Sequence, residues 1–243
     1  MKNMNTVEVL GYSERGIFNS IVFYLQAHPE LVGDFLKVLQ IDDNSECFGE
    51  SVKYTILSEQ SFSDFGNSDL VIIAENNNTK LKTVVFIEGK VKTCQGSFSI
   101  DRKFDDLKQK KVFAGISSNI FVQLYYKYLL VNILKENKTD TSSYKLPNIF
   151  KKNDGNDRKI GKNEIVEKAR EKIGYADTYY FVAILPKNED FKKRFEELNA
   201  TVFKTMPIPI EKIQSVSWED VEHLFKDATI VSRTFEYNKG QIY

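Results

Sequence analysis

The stretch Val84-Val-Phe-Ile-Glu-Gly-Lys90 decides the fold, together with the earlier run Asp69-Leu-Val-Ile-Ile73. Each contains four consecutive apolar residues, which are typical of a strand buried on both faces. Asp69 opens the first strand, Glu88 closes the second, and the polar residues 76–79 between them predict a tight turn. Because side chains alternate along a strand, Glu88 and Lys90 are expected on one face. The two runs therefore predict adjacent strands that carry two acids and a lysine at their ends.

This combination of residue types has a specific chemistry. Carboxylate oxygens are the ligands of hard divalent cations, and such a cation can activate water for attack on a phosphate. A lysine beside them can offset charge on the reacting phosphate. A Glu-x-Lys tripeptide is common by itself, and the simplest alternative is a solvated ion pair at a strand end. The buried strand before Glu88 and the acid on the preceding strand favour a functional site.

The rest of the chain predicts a mixture of helices and strands. Apolar residues at Ile17, Ile21 and Leu25 have helical spacing, Ser13 is a candidate cap, and Pro29 predicts a break near residues 27–28. Further helices are predicted at 103–112, 117–135, 163–173, 189–198 and 217–225, and further strands at 52–57, 179–185 and 213–216. We expect an α/β protein with a mixed central sheet flanked by helices.

The motif and the order of elements resemble the PD-(D/E)XK nuclease superfamily, which has the restriction-endonuclease-like fold. Its motif is an Asp, a variable spacer and Glu/Asp-x-Lys, and here the spacer is 88 − 69 = 19 residues. The resemblance implies an α-β-β-β-α-β core and a single domain over residues 1–243, with a polar loop or small insertion at about 137–162. It also implies a Mg²⁺-dependent nuclease, with Mn²⁺ as a substitute metal.

The resemblance assigns roles to individual residues. Asp69, Glu88, Lys90 and the helical acid Glu14 would be catalytic, and the metal would be held by Asp69, Glu88 and the carbonyl of Gly89. Many members carry an apolar residue where Gly89 stands. Glu14 has an alternative explanation, because an acid in the first helical turn also interacts favourably with the helix dipole.

Nucleic-acid contacts are expected from residues after the motif. Gln123 resembles the Gln of the Gln-x-x-x-Tyr helix in RecB-like members, although Lys127 stands in place of the Tyr. Gln123 and Lys127 share one helix face, where they would contact a phosphate or form a solvated stripe. Arg102 and Lys103 belong to a basic cluster at 102–111, and a second basic cluster lies at 151–162. Both clusters are candidate phosphate contacts or solvated surfaces.

Composition limits the possible partners and location. The chain has 34 basic and 34 acidic residues, so a polyanion would have to meet a local basic face. Two cysteines suggest a reducing compartment, and two histidines are too few for a zinc site with them. Residues 1–6 lack an apolar signal-peptide core. We expect a cytoplasmic protein without membrane attachment that binds nucleic acid, with DNA favoured, and a homodimer is compatible with this.

Two alternatives to a nuclease remain at the level of sequence. A protein with this fold can bind nucleic acid or a protein partner without cutting. The acids can also form a structural metal site or an ion pair only. The geometry of Asp69 and Glu88 discriminates between these interpretations.

Overall fold

The computed structural model describes residues 9–42, 47–92, 99–109, 118–135, 151–152, 154–186 and 190–243. The helices are α1 Ser13–Ala27, α2 Val32–Val38, α3 Ile100–Gln109, α4 Ile120–Lys135, α5 Glu164–Ile173, α6 Phe191–Thr201, α7 Trp218–Leu224, α8 Thr229–Tyr237 and α9 Lys239–Ile242. The strands are β1 Val52–Ser61, β2 Asn67–Asn76, β3 Lys82–Gly89, β4 Thr178–Leu185 and β5 Ile213–Ser217. None of the helices described is both long and apolar enough to cross a membrane.

The five strands form one open mixed sheet in the order β1-β2-β3-β4-β5. The first three strands are antiparallel neighbours, whereas β3, β4 and β5 run parallel. The turn between β2 and β3 is stabilised by the Asn76 side chain, which accepts hydrogen bonds from the amides of Asn78 and Thr79. Parallel strands need a crossover, and the chain supplies helices between β3 and β4 and between β4 and β5. The predicted α/β class and mixed sheet are confirmed.

Helices cover both faces of the sheet. Apolar residues of α3, α4, α5 and α6 pack on one face, which we call the α4 side, with Val71 and Ile73 of β2 and Val84 and Phe86 of β3. Residues of α1, α2, α7 and α8 pack on the opposite α1 side, against the alternate strand residues. Because both faces are covered, β2 and β3 are buried as continuous apolar runs.

Several element boundaries differ from the prediction. The break in the first helical segment is confirmed, since α1 ends at Ala27 and a 3₁₀ turn begins at Pro29. The strand β2 begins at Asn67, so Asp69 is its third residue and not its first. Most of the loop expected at 137–162 lies outside the described residues, and residues 154–162 are irregular.

The C-terminal helices α8 and α9 were not predicted. The C-cap residue of α8 contacts the start of α1, where Ser13 was expected to be the N-cap. Ser13 is not the N-cap of α1: it is the first helical residue and has φ +62°. Its amide donates to the Asn238 side chain at 2.8 Å, and Asn238 also donates to the Gly11 carbonyl at 2.7 Å. Asn238, at the C-cap of α8, therefore holds the start of α1 from a distant part of the chain.

Candidate functional site

Asp69 and Glu88 lie opposite each other on adjacent strands. The antiparallel register pairs Leu70 with Ile87, and one further step places Asp69 across from Glu88. Opposite residues of an antiparallel pair point to the same face of the sheet. Alternation along β2 and β3 puts both acids on the α4 side. The sheet register thus brings the two acids of the motif together.

Asp69 is the acid nearer to solvent, and it is bonded to the neighbouring strand. Its Oδ2 accepts a hydrogen bond from the Gly89 amide at 2.8 Å. Burial raises the pKa of the Asp69 carboxyl, while the positive charge of Lys90 and the Gly89 amide act in the opposite direction. The negative charges of Glu14 and Glu59 raise the pKa of Asp69 further. Asp69 is therefore electrostatically linked to Lys90, Glu14 and Glu59.

Glu88 is completely buried and incompletely satisfied. Its exposed fraction is 0%, and neither carboxylate oxygen has a hydrogen-bond donor among the described residues. Burial raises the pKa of Glu88 to about 7, an effect partly offset by the positive charge of Lys127 and reinforced by the negative charge of Asp69. A buried carboxylate without donors is costly, so Glu88 requires a nearby cation.

Lys127 supplies such a cation inside the fold. Its Nζ lies 3.4 Å from Glu88 Oε1 and donates to the carbonyls of Phe65 and Asn67 at 2.9 and 3.0 Å. Burial lowers the pKa of Lys127, while the charge of Glu88 raises it. Phe65 lies in the connection between β1 and β2 and Asn67 is the first residue of β2, so Lys127 ties the start of β2 to β3.

The expectation that Lys127 lies on an accessible helix face is wrong. Its exposed fraction is 0%, and α4 is buried around almost its whole circumference. A helix that is apolar on all sides packs inside a protein, and its rare polar side chains must find partners there. Gln123, one turn earlier, is half-buried, and its Oε1 is buried without a hydrogen-bond partner within the part of the chain that is described.

Lys90 follows β3 directly and is within electrostatic range of both acids. Its positive charge lowers the pKa of Asp69 and of Glu88. Its backbone is held by a hydrogen bond from its amide to the Ile184 carbonyl and by one from Trp218 Nε1 to its own carbonyl. The structure therefore brings Asp69, Glu88 and Lys90 into one charged cluster at the end of β3.

Gly89 has a packing reason to be glycine. A Cβ at this position would lie 2.6 Å from a Phe18 ring carbon and 2.9 Å from a Trp218 ring carbon. These rings belong to α1 and α7, which pack on the α1 side of the sheet. Glycine at position 89 therefore allows these two rings to pack closely over the strand.

Glu14 also belongs to the cluster. It lies in the first turn of α1, is half-buried, and its charge raises the pKa of Asp69. The preceding backbone at Gly11 and Ser13 is the part that Asn238 holds. The position of Glu14 therefore depends on α8, which was not predicted.

The cluster contains two further residues, Arg15 and Glu59, that the sequence did not predict. Glu59 lies between the pairs Ser58–Leu70 and Gln60–Ser68, which is the position across from Asp69. It forms two hydrogen bonds with Arg15 of α1. Arg15 adjoins the predicted Glu14, but no local feature of the sequence marked Glu59.

The second basic cluster is largely paired within the protein. Lys151 lies 3.8 Å from Asp157, and Lys152 lies 3.5 Å from Asp64. Arg158 donates to the Asp64 carbonyl at 2.7 Å. These contacts tie the segment to the β1–β2 connection and favour a structural role for it. Of the first cluster, Arg102 is exposed and Lys103 is half-buried, and both stay candidate phosphate contacts.

The donor set fits a magnesium ion in part. Among the described residues, no three His, Cys, Asp or Glu side chains are close enough to hold a metal. Magnesium, however, usually keeps several waters and takes only one or two carboxylates, with phosphate oxygens of a substrate. The oxygens of Glu88, which accept no hydrogen bond from the described residues and have only the Lys127 ion pair there, and the adjacent Asp69 are compatible with this mode of binding.

Comparisons of the chain with family models, with curated proteins and with solved structures found no match.

Proposed function

We propose that the protein is a Mg²⁺-dependent nuclease with a restriction-endonuclease-like fold of the PD-(D/E)XK type. The observation that carries this proposal is the position of Asp69 directly across from Glu88, whose oxygens accept no hydrogen bond from the described residues. The charge of Lys90 acts on both acids. A first helix, three antiparallel strands, further helices and a parallel strand supply the element order of that fold.

Each residue of the cluster has a role in this proposal. Asp69 and Glu88 would hold the metal, with the Gly89 carbonyl as a further oxygen. Magnesium, when bound, supplies a Lewis acid and lowers the pKa of its water. Lys90 would orient the attacking water or stabilise negative charge on the phosphate. Glu14 would accept a hydrogen bond from the same water.

Lys127 supports the metal-binding form of Glu88. A carboxylate binds a cation only when it is ionised, and burial favours its protonated form. The charge of Lys127 lowers the pKa of Glu88 and so counteracts burial. Lys127 is therefore proposed as a positioning residue, which keeps Glu88 ionised and fixes the β1–β2 connection.

A second function is favoured by the same ion pair. Glu88 and Lys127 are both fully buried and neutralise each other without any metal. A protein of this fold that binds nucleic acid or a protein partner without cutting would show such a pair. A DNA substrate, a homodimer and a cytoplasmic location stay predictions of the sequence.

The decisive experiment combines cleavage with metal binding. Purified protein is incubated with supercoiled plasmid, single-stranded DNA and RNA in Mg²⁺ or Mn²⁺, and Mn²⁺ binding is measured by calorimetry. We expect the unaltered protein to cleave nucleic acid and to bind Mn²⁺. Both activities should be lost in Asp69→Ala and in Glu88→Gln. The exposed Asp34→Asn on α2 is the matched control. Unchanged Mn²⁺ binding in Asp69→Ala would remove the metal site, and binding of nucleic acid without cleavage would favour the second function.

A further inference from the structure

The backbone at Glu59 is unusual for a strand. Glu59 lies inside β1 but has φ +52°, in the left-handed region that residues other than glycine adopt rarely. Regular pairing continues on both sides, at Ser58 and at Gln60. Such conformations are energetically unfavourable and are concentrated at functional sites. Here the unfavourable conformation occurs at the one residue of β1 that lies across from Asp69.

The Glu59 side chain holds the guanidinium of Arg15. Arg15 Nε donates to Oε1 at 3.0 Å and Nη2 donates to Oε2 at 2.9 Å, which is a two-bond, fork-like contact. The Arg15 side chain is nevertheless 69% exposed. The same fork of donors matches two oxygens of a phosphate. Arg15 is therefore accessible to a phosphate in the geometry in which it binds Glu59.

The Arg15–Glu59 pair lies beside the proposed metal site. The pKa of Arg15 is raised mainly by its hydrogen bonds and ion pair with Glu59, and to a smaller extent by the charges of Asp69 and Glu14. An exposed ion pair adds little to stability. Structural stabilisation alone therefore does not explain the strained backbone that presents Glu59 to Arg15.

We propose that Arg15 binds a backbone phosphate of the nucleic acid beside Asp69, and that Glu59 occupies its guanidinium until the phosphate replaces it. Glu59 then acts as an internal competitor that keeps the fork of Arg15 extended toward the site. The inference rests on the proposed function, because it assigns a phosphate contact to the same cluster.

Opposite effects of two substitutions test this inference. Affinity for a fluorescein-labelled DNA duplex is measured by fluorescence anisotropy over a KCl series, with Ca²⁺ in place of Mg²⁺. We expect Arg15→Gln to weaken binding about tenfold and to reduce the slope of log K against log salt by about 0.9. Glu59→Gln is expected to tighten binding several-fold, and this gain should vanish in the Arg15→Gln background.

Further variants separate charge from geometry. Arg15→Lys keeps the charge but loses the fork, so we expect weaker binding with an unchanged salt slope. The exposed pair Lys37–Asp34 on α2 provides controls, and Lys37→Gln and Asp34→Asn should leave DNA affinity unchanged. A purely structural pair would give equal losses of thermal stability in Arg15→Gln and Glu59→Gln, with unchanged affinity.

Each result decides between the inference and the function on which it rests. The phosphate contact would be overturned if the variants and the unaltered protein bound DNA with equal affinity, or if the DNA affinity shifted in the same direction in Arg15→Gln and Glu59→Gln. Absence of duplex binding by the unaltered protein at 20 mM KCl would overturn it as well. Cleavage without dependence on Arg15 would overturn the inference but not the nuclease. Binding that depends on Arg15 without any cleavage would overturn the nuclease but not the inference.

Discussion

Replacement of the buried lysine by methionine, Lys127→Met, removes the cation beside Glu88 and keeps a similar volume. The Nζ of Lys127 is fully buried, donates to two backbone carbonyls, and lies 3.4 Å from Glu88 Oε1. The substitution leaves one buried carboxylate without its cation and two carbonyls without this donor. Removal of one partner of a buried ion pair costs about 3–5 kcal/mol. We expect a loss of this size in the free energy of unfolding at pH 8.

The loss should depend on pH in a defined direction. The pKa of Glu88 is raised from 4.5 to about 7, so the folded state binds this proton more tightly than the unfolded state. The resulting contribution to stability is complete below the unfolded pKa and disappears as pH rises through the folded pKa. Without Lys127 the folded pKa of Glu88 rises further. Between pH 7 and 8 the variant should therefore lose about 1 kcal/mol more than the unaltered protein.

Urea unfolding at pH 5.5, 7 and 8 measures these differences. The double variant Lys127→Met/Glu88→Gln has no buried charge at this position and should recover much of the loss at pH 8. Lys108→Met, which breaks an exposed pair with Glu197, is the control and should cost less than about 1 kcal/mol. A Lys127→Met variant within 1 kcal/mol of the unaltered protein at pH 8 would refute the reasoning.

Three further predictions concern other parts of the site. Lys90→Ala should lower the cleavage rate by about 10²–10³-fold while Mn²⁺ binding stays unchanged, as kinetics and calorimetry would show; full activity would make Lys90 a bystander. Gly89→Ala should lower the free energy of unfolding by about 1–3 kcal/mol through overpacking. Gly240→Ala, whose Cβ would have no neighbour within 4 Å among the described residues, should cause no such loss, and equal melting temperatures of the two variants would contradict this. Asn238→Ala should lower the free energy of unfolding by about 1–3 kcal/mol, because it removes the side chain that holds the start of α1. The exposed Asn78→Ala is its control.

Local patterns in the sequence determined which segments form the sheet. The runs before Ile73 and Glu88 are continuous apolar segments, and such runs form strands that are buried on both faces whatever their partners are. The motif positions Asp69, Glu88 and Lys90 could be located for the same reason, since two-residue alternation and a short turn leave few arrangements for adjacent strands.

The partners of these residues depended on the tertiary structure. Lys127 was expected on an accessible face, because helical periodicity identifies residues that share a face but not what that face contacts. Glu59 became part of the site through the register of β1 with β2 and through an unusual backbone angle, and neither follows from local composition. Asn238 reaches Ser13 across 225 positions of the chain. Contacts of this range are set by how complete helices and strands pack against one another. Local sequence patterns therefore determined the strands and the positions of Asp69, Glu88 and Lys90, whereas only the tertiary structure decided which charges surround these residues.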